Sequence, residues 1–448
     1  MNLYIHIEVS AREEDSTLLK AVLAAHSGYD VLIGISSIYN FLFKWKFLNK
    51  GIFHTKSLEH NNWKKNFLKL IYSQGNKITS LDEEAAIIKD KKSLENFLKS
   101  RFTNDSLSRV TKIFCWGVDD FEMLKKFYPN YSNKFLLTGT SRADMWNNKF
   151  INYWATDEKK KDSKIMFSLN FPLVNGYVTF EELINNLTLN GYFKRSKNLL
   201  DEIKKVHEIT KINFNNFKKL IPTLAEKLPE QHFIVRPHPS EKTEIWSKLL
   251  SKYKNIEVNN SGNFNEQLFE SKILIHNSCT TAFQASILNK KVICYNPSRL
   301  DHDHGRIANK LGYMCFSIDD LINEIEMYKI ESKYNIKDKV EIEKKIHTPN
   351  NKHLSSNLII NTWIEESKII KFRKNKYHFL KFILFMYEKF SKYMNLLLKR
   401  NILDYKFQEF DKDRIKKKIY KIEKILNLEN KSKVIKISKN CLLIKNDA

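Results

Sequence analysis

Three short runs in this 448-residue chain gather residue types that handle phosphate and move protons. In the first, His232-Phe233-Ile234-Val235-Arg236-Pro237-His238-Pro239-Ser240-Glu241, an apolar run reads as a buried strand stopped by two prolines. Those prolines hold the residues before them extended, so Arg236 and His238 are expected at the carboxyl end of the strand, where open α/β sheets bind ligands. In the second, Ile273 to Ala285, an apolar strand ends in Asn277-Ser278-Cys279-Thr280-Thr281 and opens a helix. Backbone N–H groups and the hydroxyls of Ser278, Thr280 and Thr281 would converge there on an anion. The third, Thr79-Ser80-Leu81-Asp82-Glu83-Glu84-Ala85, sets three carboxylates after a strand, a source of a general base. Singly, each has a plainer reading: a turn with a surface histidine, an ordinary Ser/Thr helix cap, and a solvated acidic helix start.

The elements that would position these runs alternate in the α/β manner. Strands are predicted at Leu3–Val9, Val31–Gly34, Gly51–Thr55, Lys77–Ser80, Thr111–Cys115 and Phe135–Thr138, with helices over Glu13–Ser27 and Leu58–Tyr72. A polar break around Asn147 to Ser163 precedes a second series: Lys164–Leu169, a long helical region over Glu181–Leu228, then Phe233–Arg236, Ile256–Val258, Ile273–His276 and Val292–Tyr295. Two doubly wound, Rossmann-like domains result, at 1–150 and 151–366. The expected architecture is GT-B: the two domains face a cleft, and a basic helical appendage follows at 367–448.

The acidic run, the His-Pro and the later Ser/Thr turn stand in the order and domains of the motifs of bacterial GT-B sialyltransferases and related CMP-sugar enzymes, which the chain resembles. Ile7 to Glu13, Leu81 to Glu84, Gly139-Thr140-Ser141-Arg142-Ala143-Asp144, Asn170-Phe171 and Arg236 to Glu241 are similar to the bacterial surface carbohydrate biosynthesis family, over roughly Asn2 to Asp320. Ala85 departs from the glycine of the sialyltransferase motif, and Thr140-Ser141 from the expected Asn-Pro. The first departure leaves open which of Asp82, Glu83 and Glu84 is catalytic. The resemblance implies that His238 meets the donor phosphate and protonates it, beside Ser278, Thr280, Thr281 and Asn277. Arg236 would add charge there or brace the strand end, with Asn170 and Glu241 on the donor side. Glu83 or Asp82 would be the base, while Glu8, Arg12 and Glu13 would bind acceptor or sugar.

It further implies transfer of an acidic sugar of nonulosonic or Kdo class from a CMP donor to a glycan or lipid-linked acceptor. No cofactor or metal is expected; Asp301-His302-Asp303-His304 offers alternating ligands but reads as a polar loop. A CDP-glycerol or CDP-ribitol phosphotransferase is the alternative enzyme. A non-catalytic nucleic-acid or membrane scaffold is the competing class, disfavoured because the motifs lie in the body of the chain.

Charge bears on location. Of the net +25, residues 367–448 carry +15, from 23 Lys plus Arg against 8 Asp plus Glu. Their aromatic and basic run Tyr377 to Tyr387 reads either as an amphipathic helix on an anionic inner-membrane surface or as one packed on the body or a partner chain. Nucleic acid is not the expected partner. Five cysteines without CxxC spacing argue against a zinc site or a disulfide framework, and no stretch reaches the length of a membrane span. The chain start shows no leader pattern, so a cytoplasmic, membrane-peripheral enzyme is expected.

Overall fold

The computed structural model describes residues 1–58, 62–83, 91–154, 163–189, 199–300, 306–331, 339–349, 353–397, 407–429 and 431–447. Glu84, Ala85 and the Asp301–His304 run lie outside the described residues. Fourteen strands occur there in chain order. They are β1 Asn2–His6, β2 Asp30–Gly34, β3 Ile52–Thr55, β4 Lys77–Leu81, β5 Lys112–Cys115, β6 Phe135–Leu137, β7 Lys164–Ser168, β8 Phe233–Arg236, β9 Ile256–Val258, β10 Ser271–His276, β11 Lys291–Tyr295, β12 Tyr313–Cys315, β13 Ser432–Ser438 and β14 Cys441–Asn446. They form two sheets in two compact units.

The first unit takes in Met1–Ala86, Leu94–Tyr153 and Glu343–Ala448. Its sheet runs β13-β14-β2-β1-β3-β4-β5-β6, parallel from β2 to β6. Leu3, Tyr4, Ile5, Val31, Leu32, Ile33, Ile52 and Phe53 are all buried, as strands covered on both faces must be. The helix Ser10–His26 starts three residues before the predicted position. Glu13 explains this: its carboxylate Oε2 accepts the N–H groups of Glu8 (2.9 Å) and Val9 (3.2 Å) at the helix entrance.

The C-terminal third differs from expectation. The helix Ser355–Ser367, assigned from sequence to the second domain, packs into the first unit. Asp144 accepts the Ser355 and Ser356 N–H groups at its start, and Trp363 is buried with its indole N–H on Thr79 Oγ1 at 3.0 Å. Gly139, at φ +75°, lets this segment approach: a Cβ there would lie 2.2 Å from the His347 carbonyl oxygen. Residues 367–448 are likewise not a purely helical appendage. β14 pairs antiparallel with β2, and β13 with β14, so the tail completes the first sheet. Cys441, Leu442, Leu443 and Ile444 are buried there, and that apolar run, read from sequence as part of a helical tail, is strand.

The second unit spans Trp154–Ile342, together with Ile87–Ser93, around a fully parallel sheet in the order β12-β11-β10-β7-β8-β9. The predicted long helical region resolves into helices Phe180–Leu189 and Leu199–Lys227. The latter lays Phe217, Leu220, Ile221 and Leu224 on Ile165, Phe167, Phe233, Val235 and Ile275.

Candidate functional site

Both sheets reverse their strand order once. In the first unit β1 is flanked by β2 and β3, in the second β7 by β8 and β10. In open α/β sheets such a reversal opens a crevice at the carboxyl ends of the strands. The residues singled out from sequence sit at those edges, but they are used differently in the two units.

In the second unit, register aligns the site. Arg236, Ser168 and His276 pair across β8, β7 and β10, so the residues two places further on, His238, Asn170 and Ser278, leave one sheet edge side by side. With strands about 4.8 Å apart, the β8 and β10 loops start on the order of 10 Å from each other. Asn170 Nδ2 donates to the Ser278 carbonyl at 3.1 Å, joining the β7 and β10 loops across the reversal.

His238 is half-buried and accepts the Ser240 N–H on Nδ1 at 3.1 Å, so its neutral tautomer carries the proton on Nε2. Burial holds its pKa below the ordinary histidine value, which favours that neutral, donating form. Ser278 stands at φ +55°, outside the usual range for a residue with a side chain. Asn309 secures it there, accepting the Ser278 N–H at 2.7 Å and donating to its Oγ at 3.2 Å. Asn277 accepts from Asn213 and Ser278 and donates to the Tyr295 carbonyl, so it and Ser278 are buried organisers of the turn. Thr281 Oγ1 donates to Ser168 Oγ at 3.0 Å. Thr280 is exposed and its side chain makes no cap bond to the helix Thr281–Ile287, leaving its hydroxyl toward solvent.

Two expected donor ligands are spent on the fold instead. Arg236 takes the bracing role: Nη1 donates to the Ser261 carbonyl and Gln267 Oε1, and Nη2 to the Gly262 carbonyl. Burial pushes its pKa down to about 10, with Glu266 opposing. Glu241 is wholly buried, with its carboxylate accepting from the Phe171 and His238 N–H groups, the Asn175 amide and the Trp246 indole. It positions the His238 backbone rather than touching a ligand. Desolvation raises its pKa, and these four donors oppose the shift.

In the first unit the edge is filled with ion pairs. Glu8 Oε2 meets Lys56 Nζ at 2.6 Å, bridging the loops that follow β1 and β3. Arg12 meets Glu13 at 2.8 Å, and Glu13, 1% exposed, holds the helix entrance, a structural task rather than acceptor binding. Asp82 Oδ2 lies 3.4 Å from Arg101 Nε, and its carbonyl accepts the Trp116 indole N–H. Glu83 is 4% exposed; Oε1 faces Lys20 Nζ at 3.4 Å, while Oε2 is buried and makes no hydrogen bond among the described residues. The Glu83 carbonyl accepts from Arg142, whose guanidinium lies over the rings of Trp116 (5.3 Å) and Trp146 (5.6 Å). Burial pushes the Arg142 pKa down to about 10.

Sequence reasoning missed Lys20, Lys56, Arg101, Asn213 and Asn309. Lys20 left a signal: a lysine inside the apolar run Leu18-Leu19-Lys20-Ala21-Val22 needs a buried counter-ion. The asparagines left none. Among the described residues, no group of three or more His, Cys, Asp or Glu is arranged to hold a metal.

No protein-family model matches the sequence, and no curated protein matches it. Solved structures do match in fold. A UDP-N-acetylglucosamine 2-epimerase superposes with a TM-score of 0.50 at 10% identity, over 83% of this chain and 97% of that one. The UDP-GlcNAc 2-epimerase from Neisseria meningitidis gives 0.46 at 14% identity (82% and 100% covered), and the wall teichoic acid polymerase TagF gives 0.44 at 14% (82% and 89%). At such identities the likeness is one of fold, and the chain is an α/β protein of GT-B type, built on two Rossmann-like units.

Proposed function

We propose that the chain is a glycosyltransferase of bacterial surface polysaccharide synthesis. It transfers an acidic sugar, of nonulosonic or Kdo class, from a CMP-activated donor to a glycan or lipid-linked acceptor. The observation that carries this is the aligned edge of the second unit. His238, Asn170 and the Ser278–Thr281 turn leave adjacent parallel strands at the reversal point, where the His238 imidazole and the exposed Thr280 hydroxyl offer neutral hydrogen-bond donors. Such a set suits a phosphate whose charge grows as it leaves.

In the reaction the bond between the anomeric carbon and the phosphate oxygen breaks, and the electron pair goes to the phosphate. His238 Nε2–H donates to that oxygen, with Thr280 available beside it. The acceptor hydroxyl oxygen forms the new bond to the anomeric carbon, and its proton goes to a carboxylate. Glu83 is assigned that role, with Asp82 as a second carboxylate of the run. Glu8 and Arg12, both partly exposed, are assigned to the acceptor. The basic C-terminal segment holds the enzyme at the inner face of the plasma membrane.

The test is CMP release from CMP-sugars of both classes, with CDP-glycerol and UDP-GlcNAc in parallel. The expected result is CMP release and a glycosidic product, lost by about a hundredfold or more in His238→Ala, with the fold retained, and in Glu83→Gln combined with Lys20→Met, which leaves no buried charge without its partner. Phosphodiester product from CDP-glycerol would replace this reading with alditol phosphate transfer. Failure to bind any cytidine nucleotide would overturn both.

A further inference from the structure

The helix Tyr377–Leu397 carries two apolar stripes where a surface helix needs one. The inner stripe is satisfied within the first unit: Leu380 and Leu384 are buried, Tyr387 stacks on Phe41 at 4.2 Å, and Tyr377 Oη bonds Asp30 at 3.1 Å. At about 100° per residue, Phe379, Phe382, Met386, Phe390 and Tyr393 fall on the far side. They are 47% to 64% exposed, as is Phe385. The Phe47 ring meets Phe379 at 5.7 Å, and two residues before Phe47, Trp45 is 60% exposed between Lys44 and Lys46.

We propose that this outer face is a monotopic membrane-binding surface that lies in the headgroup region of an anionic bilayer. The proposal deepens the membrane part of the function given above by assigning it to one helix face. Two observations choose the occupant. Exposed Lys381, Lys389 and Lys392 border the aromatic stripe against the single acid Glu388, and Lys389 Nζ lies 5.6 Å from the centre of the Phe385 ring. That is the aromatic-plus-basic pattern of a helix lying in the lipid interface, the lysine stems on apolar surface and the ammonium groups toward phosphates. A second copy of the chain would instead bring these lysines against their own equivalents, in a molecule of net charge +25.

Part of the basic tail is engaged elsewhere. Arg414 and Lys418 are paired with Glu14 and Asp15, while β13 and β14 are built into the sheet. No helix among the described residues is long and apolar enough to cross a membrane, so contact through this face would be with the surface.

The test is co-sedimentation of the full chain with vesicles of phosphatidylcholine alone or with phosphatidylglycerol, combined with sedimentation velocity and CMP release. The expected result is binding to the anionic vesicles only. Phe382→Ser/Phe390→Ser should weaken it by about tenfold or more, and Lys381→Gln/Lys389→Gln/Lys392→Gln should remove the lipid preference. CMP release in solution should be unchanged in both variants. No vesicle binding by the parent chain, equal binding by the Phe variant, or a parent dimer that this variant converts to monomer would each overturn the proposal. Such failures with turnover intact leave the enzymatic reading standing, whereas vesicle binding without any turnover removes the enzymatic reading alone.

Discussion

The two Rossmann-like units put polar groups at equivalent places, the carboxyl edge beside a strand reversal, and fill those places with opposite chemistry. In the first, Glu8–Lys56, Arg12–Glu13, Glu83–Lys20 and Asp82–Arg101 neutralise one another. In the second, Asn170, Asn277, Ser278 and Asn309 bond one another in a neutral frame that holds an exposed Thr280 hydroxyl and a neutral His238 imidazole. An edge with its charges already paired has little to gain from a further anion before the helix, where Glu13 already takes the Glu8 and Val9 N–H groups. An edge of neutral donors leaves the negative charge to be supplied by a ligand. The same topology therefore serves two purposes, decided by a handful of side chains.

The largest expected effect lies in the paired edge. Lys20→Met leaves Glu83 charged and buried without its partner and should destabilise the protein by roughly 3–5 kcal/mol in denaturant unfolding. Adding Glu83→Gln should restore most of this. If the single variant cost nothing, the charges would not be compensating each other and the contrast between the units would fail.

Acid should act on both units through buried histidines. His276, fully buried at the end of β10, has a pKa pushed down to about 3 by desolvation, and desolvation also lowers those of His6, His54 and His238. The unfolded chain, with histidines near 6.5, takes up protons first as pH falls. Stability is therefore complete above about pH 6.5 and is lost below it, by up to about 1.4 kcal/mol per pH unit for His276 alone. Thermal unfolding from pH 7.5 to 5 checks this; a flat profile would contradict it.

Smaller changes sharpen the neutral edge. Asn309→Ala removes both bonds that hold Ser278 at positive φ and should cost about 1–2 kcal/mol in stability, together with weaker nucleotide binding in titration calorimetry. Thr280→Ala, at an exposed hydroxyl, should leave the melting temperature unchanged and weaken nucleotide binding by about fivefold, one hydrogen bond's worth.

Much of this was legible in the sequence. The strand ending at Arg236, the turn after His276 and the alternation of elements are local signals, written in prolines, hydroxyls and apolar runs. The uses of Arg236 and Glu241 were not legible. A guanidinium that braces Ser261 and Gly262 and one that binds phosphate look alike until the loop that wraps it is known. The tail was misread for a related reason. Leu442, Leu443 and Ile444 form a short apolar run whose meaning depends on the edge of β2, some four hundred residues earlier.

That distant pairing also imposes an order on biosynthesis. β1 to β6 emerge from the ribosome early, but β14, which covers the edge of β2, follows the whole second unit. At about 5–20 residues per second, the first sheet waits on the order of tens of seconds with that edge unpaired. The second unit, continuous from Trp154 to Ile342 apart from a seven-residue excursion, has all its strands at hand and can close first. The nascent chain would then mature from the middle outward, its earliest residues among the last to be secured.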